Sequence, residues 1–186
     1  MPMHIYQPVE SDIYQFVEFW SQRYRYADEG LYDDNIGLEL TEQRILELFR
    51  WKNGTPLSER KRASVNQNYV ERRHELTQFE THIDAREFLN HFPNGGAIWR
   101  IFWLHCFRPN EFPIYDQHVH RAMAFIENGE AEEIPQHDPR KIDAYIERYL
   151  PFHEQFQAID GRNVDRALWA FGKFINENNF PMPAQN

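Results

Sequence analysis

The chain is predicted to be all-α, a single compact unit of about eight helices resembling no open sheet or sandwich. Apolar residues recur at i, i+3, i+4 and i+7 in one segment after another, no run alternates as a strand, and no internal repeat is present. At 186 residues, with 41% hydrophobic and 16% aromatic content, the chain suits one domain around one core, residues 1–186 together.

Ile13, Phe16, Val17, Trp20 and Tyr24 give helical spacing over residues 11–26, and the segment ADEGLYDDNIG after it reads as a loop. Thr41 is placed to cap TEQRILELFRWK, with Asn53 and Gly54 as the stop. Ser58 opens a long, polar, basic helix over residues 58–76, thinly apolar at Val65, Tyr69 and Leu76, and expected to be the most exposed element. Asp84 with Glu87 resembles a capping box for AREFLNHF. The stretch 94–126 forms the centre. After Gly95 and Gly96 comes a helix apolar on almost every side, then the loop RPNEFPIY. A helix from Asp116 follows, with Val119, Ala122, Met123 and Ile126 on one face. Asp138 before Pro139 starts the next helix, which Pro151 should break or kink, and Phe152, Phe156 and Ile159 suggest a further short one. Asn163 begins the last, carrying Val164, Leu168, Phe171 and Ile175, and the tail 180–186 is expected to be loose.

No apolar run approaches the ~18 residues that span a bilayer, so no membrane partner is expected. MPMHIYQPVE has no basic region followed by an apolar one, so no secretory signal is read there. The one cysteine, Cys106, leaves no internal disulfide, and a cytoplasmic setting is expected. A net charge of −9 opposes indiscriminate nucleic-acid binding but leaves room for a local basic surface. The cations gather at Arg60, Lys61 and Arg62, at Arg72 and Arg73, and at Arg100, Arg108 and Arg121.

Asp116 stands before an amphipathic helix, where capping alone accounts for it; the same carboxylate at a helix start can also face a cleft and stabilise a developing cation. Gly95 and Gly96 ahead of a helix offer backbone N–H groups to phosphate, or simply a tight turn. His118 and His120 point about 200° apart on a helix, so with His105 and Cys106 they make no metal site, and no cofactor is called for. Asp116 can meet His120, and His118 can meet Arg121, at helical spacing.

Gly95-Gly96, a buried helix, then Pro113-Ile114-Tyr115 leading into Asp116-Gln117-His118-Val119-His120-Arg121 resembles the helix-hairpin-helix DNA glycosylase superfamily. The likeness is nearest to the small bacterial 8-oxoguanine-DNA-glycosylase-like proteins. In that superfamily a glycine-rich hairpin grips backbone phosphate and an Asp-x-His-hydrophobic-x-Arg run carries the catalytic aspartate. The resemblance implies Asp116 as catalytic carboxylate. It also implies DNA contacts from Gly95, Gly96, Arg100, His118, His120 and Arg121, joined by Arg72 and Arg73 of the basic helix. Trp99, Trp103, Tyr115 and Trp169 are the candidate base pocket, and Val164-Asp165-Arg166-Ala167-Leu168-Trp169 looks like a companion motif. The family's usual lysine after the hairpin is missing: Ala97, Ile98 and Trp99 stand there, and no lysine lies between Lys61 and Lys141. The expected activity is therefore monofunctional hydrolysis of an N-glycosidic bond to a damaged or modified base in DNA. The alternative is a non-catalytic module binding nucleic acid or a protein partner through residues 60–73.

Overall fold

The computed structural model describes residues 12–81 and 83–178, and every regular element among them is helical. The tail 180–186 and the N-terminal MPMHIYQPVE lie outside the described residues. Side chains that accept a backbone N–H set where most helices begin. Asp12 caps α1 (Ile13–Ser21); α2 (Gly30–Asp33) is a single turn; Thr41 caps α3 (Glu42–Asn53), which Gly54 ends in the left-handed conformation. Ser58 caps α4 (Glu59–Val65) and Asp84 caps α5 (Ala85–His91). Then follow α6 (Ala97–Phe107), α7 (Gln117–Asn128), α8 (Asp138–Asp143), α9 (Leu150–Glu154) and α10 (Gly161–Glu177). The last helix starts earlier than Asn163, because Asp160 caps it by accepting from the Asn163 amide at 2.9 Å.

Four segments depart from the sequence expectation. α1 stops at Ser21, and Tyr24 and Tyr26 leave the helix to donate to Glu29 Oε1 (2.8 Å) and to the Trp51 carbonyl (3.0 Å). The expected loop after it contains α2, whose buried Tyr32 hydrogen-bonds His105 Nε2 at 2.7 Å. The basic helix is continuously exposed over residues 58–63, and beyond them exposed and buried positions alternate. Beyond α4 it widens into a π-helical turn (Asn66–Val70), which turns Tyr69 and Val70 into the core along with Val65, and a 3-10 helix (Arg73–Phe79) follows. Pro151 does not break its helix. α8 passes through a π-helical segment (Ala144–Tyr149) into α9, and that widened turn accommodates the missing N–H and the crowding of the proline ring.

The centre is α6, buried continuously from Arg100 to Cys106. Phe49 of α3 stacks on Tyr69 at 4.6 Å and meets Phe102 edge-on at 5.4 Å, so α3, the π turn and α6 share one aromatic core. α10 packs between α7 and α1. Gly172 lies where α10 touches the α7 backbone at His118. Among the described residues no helix is long and apolar enough to cross a membrane.

Candidate functional site

The extended run before α7 is pinned along its length. His105 Nδ1 bonds the Phe112 carbonyl at 2.7 Å, Tyr145 donates to the Pro113 carbonyl at 3.3 Å, and Lys52 Nζ lies 3.4 Å from the Tyr115 carbonyl. Phe112, Ile114 and Tyr115 are buried, so the run delivers Asp116 to a fixed position. Asp116 Oδ1 accepts from the amides of His118 (2.9 Å) and Val119 (3.2 Å), while Oδ2 meets Lys52 Nζ at 3.2 Å. One oxygen therefore caps α7 and the other is held by Lys52, while the side chain lines a cleft. Burial by itself would raise this carboxyl. Lys52, His118 and the Val119 amide outweigh it and hold Asp116 below the ordinary aspartate value, so it is ionised at neutral pH.

Asp116 opens on a cleft of about 440 Å³ between α3, α6, α7 and α10. Its aromatic walls are Tyr24, Tyr26, Trp51, Trp99 and Trp169; its charged and titratable groups besides the tyrosines are Lys52, Asp116, His118, Lys141, Arg162 and Asp165. Lysines stand over two of the indoles: Lys61 Nζ is 6.0 Å from the Trp99 ring centre and Lys173 Nζ 5.2 Å from that of Trp169. Arg162 is held by Glu29 at 2.7 Å and lies 4.3 Å from the Tyr32 ring centre. Asp165 is 5% exposed, and burial drives its carboxyl up to about 7, against Arg162, the Ile114 amide and Lys52 and with the help of Asp116.

Of the four aromatic residues expected in a base pocket, Trp99 and Trp169 line the cleft. Trp103 and Tyr115 do not; both are sealed in the core, at 0% and 1% exposure. The expected Asp116–His120 contact is not made. His120 turns the other way, hydrogen-bonding the Tyr115 hydroxyl at 2.7 Å with Glu132 at 3.8 Å, and burial lowers its pKa to about 4. His118 does approach Arg121 (3.5 Å) and packs its ring 5.1 Å from Trp169.

The expected phosphate-binding arginines are engaged within the protein. Arg121 is buried and paired with Glu133 at 2.7 Å, and Arg100 is buried and donates to the Leu89 carbonyl. Arg72 pairs with Glu75 at 2.7 Å and reaches the His91 carbonyl; Arg73 donates to the nearby Val70 carbonyl but stays exposed. Gly95 and Gly96 both have positive φ, and a Cβ on Gly95 would lie 2.2 Å from the Tyr69 hydroxyl, so the turn is a close backbone approach. Gly96 then leaves the α6 amides without a side-chain cap, with the Asp138 carboxylate nearby.

Sequence reasoning missed Lys52, Arg162 and the tyrosines of the first irregular segment. Lys52 is 64 residues from Asp116 in the chain, and nothing local to either signals the pair. Asp165 stood in the motif noted near the C-terminus, but its burial beside Asp116 is a tertiary fact. Among the described residues no three His, Cys, Asp or Glu side chains gather as a metal site. Set against protein families, curated proteins and solved structures, the chain matches none.

Proposed function

We propose that this protein hydrolyses the N-glycosidic bond of a damaged or modified base in DNA, with Asp116 as the carboxylate that faces the developing sugar cation. The observation that carries the reading is Asp116 itself, ionised, fixed by its own helix and opening on an aromatic cleft of about 440 Å³, a volume ordinary for a small-molecule or flipped-base pocket. An oxocarbenium-like centre needs a nearby fixed negative charge, and π-faces such as Trp99 and Trp169 suit a planar base. Lys141 in the cleft wall and Lys61 and Lys173 beside it carry positive charge despite the net −9, although Lys141 shares its charge with Asp138 (3.0 Å) and Lys173 with Glu177 (3.8 Å). The Gly95–Gly96 turn, α6 and Asp116 follow one another as in the run on which the resemblance to the helix-hairpin-helix glycosylases rests. The alternative module has less to offer: Arg72 is tied to Glu75 and the His91 carbonyl, Lys61 donates to Asn53 at 2.6 Å, and Arg60, Arg62 and Arg73 are the exposed arginines of that stretch.

Oligonucleotides carrying a panel of base lesions, incubated with the protein and then with hot alkali, are expected to be cut at the lesion. Asp116→Asn should slow base release on the order of 10²–10³-fold. An intact panel, or full activity in Asp116→Asn, would refute the proposal.

Lys52 raises a second question, because an amine attacking the sugar would leave an imine. Its side chain is only 7% exposed against 20% for Asp116, and its ammonium is held by the carboxylate and the Tyr115 carbonyl, so water is assigned the attack and Lys52 the positioning of Asp116. Borohydride added during turnover should therefore trap no protein–DNA adduct. An adduct that disappears in Lys52→Ala would move the nucleophile from water to Lys52.

A further inference from the structure

Granted hydrolysis at Asp116, we infer that Asp165 is a second catalytic carboxyl in the same cleft, donating a proton to the departing base, and that the site accordingly takes neutral bases rather than cationic, N-alkylated ones. Asp165 lines the cleft from α10, and its Oδ1 is enclosed with no hydrogen-bond partner. The Ile114 amide donates to the carboxyl, but most buried side-chain oxygens have a partner, so an unpaired Oδ1 on a cleft-lining carboxyl calls for a reason. The charged and titratable groups that face it are Arg162 on its own helix, Lys52 of α3, Asp116 at the head of α7, Tyr32 of α2, and Tyr145 and Tyr149 of the π-helical segment. Neither cation is paired with it: Arg162 is held by Glu29 and Lys52 by Asp116. The cleft thus holds one carboxyl supplied with a lysine and one left without a counter-ion.

Such a pair divides the acid and base roles. Asp116 stays ionised, whereas Asp165, pushed up to about 7, carries its proton near neutrality. When the glycosidic C–N bond breaks, its electron pair goes to the base, and the Asp165 proton transfers to a ring nitrogen so that the base leaves neutral. Water then adds to the sugar carbon and its proton returns to the Asp165 carboxylate, so one water is consumed and the site is reset. A neutral lesion departs poorly as an anion and gains from that proton. A cationic alkylated base already leaves neutral and gains little.

The test compares wild type with Asp165→Asn in single-turnover release of neutral lesions (hypoxanthine, 8-oxoguanine, uracil) and of cationic 7-methylguanine across pH 5 to 9. On the neutral lesion that wild type processes, the rate should fall as pH rises through about 7, and Asp165→Asn should lose about 10²-fold at low pH together with that descending limb. Its loss on 7-methylguanine should be at least tenfold smaller. Equal losses on both substrates, an unchanged pH profile in the variant, or a wild type confined to 7-methylguanine would overturn the role of Asp165 while leaving Asp116 chemistry standing. Release of no lesion by wild type would overturn the hydrolytic reading, and this one with it.

Discussion

Gly172→Ala is expected to lower the free energy of unfolding by at least about 3 kcal/mol, the upper part of the range for overpacking a well-packed contact. An added Cβ would lie 1.8 Å from the His118 carbonyl oxygen and 2.6 Å from its carbon. These are backbone atoms in the first turn of α7, which have no rotamer to escape into, so the two helices must move apart. Replacing glycine by alanine inside a helix is by itself worth up to about 1 kcal/mol in the opposite direction, which the overlap exceeds. For a chain of this size the loss corresponds to a fall in melting temperature of about 6–12 °C, readable by circular dichroism. The site should suffer too, since His118 is two residues from Asp116 and its amide holds the Asp116 carboxylate. An unchanged melting temperature would mean that α7 and α10 do not approach as closely as described.

The contact at Gly172 also marks the limit of what the sequence discloses. Helix starts were legible where one residue does the work, as at Thr41, Ser58, Asp84 and Asp116, because capping is local chemistry. The burial of α6 was legible because apolar residues on every side leave no solvent face. The π-helical turns at Asn66–Val70 and Ala144–Tyr149 were not, since widening a turn by one residue answers to the core it packs against. Half of the site follows the same division. Asp116 and its neighbours Trp99 and His118 could be picked from one stretch, whereas Lys52, Arg162 and the depth of Asp165 depend on helices brought together across the fold. Arg100, His120 and Arg121 failed in the other direction. Polar residues on a central helix pair suggested a nucleic-acid surface, yet each is buried against a partner inside the protein.

Asp165→Asn is expected to stabilise the protein, and to do so only as the pH rises. The folded carboxyl titrates at about 7 against an ordinary value of 3.8, so between those limits the folded state binds the extra proton and stability falls with increasing pH. About three units at roughly 1.4 kcal/mol each put the full penalty on the order of 4 kcal/mol, complete above pH 8. Three histidines work against it. His105, His120 and His153 are lowered by burial to about 3, 4 and 4, and each adds stability as the pH climbs toward 6.5. Asp116, whose pKa is depressed, adds stability that is fully present above its ordinary value and is lost only as the pH falls below it, so it stays constant over the range compared. The wild-type stability curve is therefore a sum of opposing terms, and the difference between variant and wild type isolates Asp165. Urea unfolding of both should coincide near pH 4, diverge steadily, and differ by a few kcal/mol at pH 8 in favour of the variant. A constant difference, or a variant that is the weaker at pH 8, would show that Asp165 is ionised and satisfied in the folded state. A carboxyl that costs stability throughout the neutral range, inside a cleft where asparagine would fill the same space, is what the proton-donor role proposed for Asp165 requires.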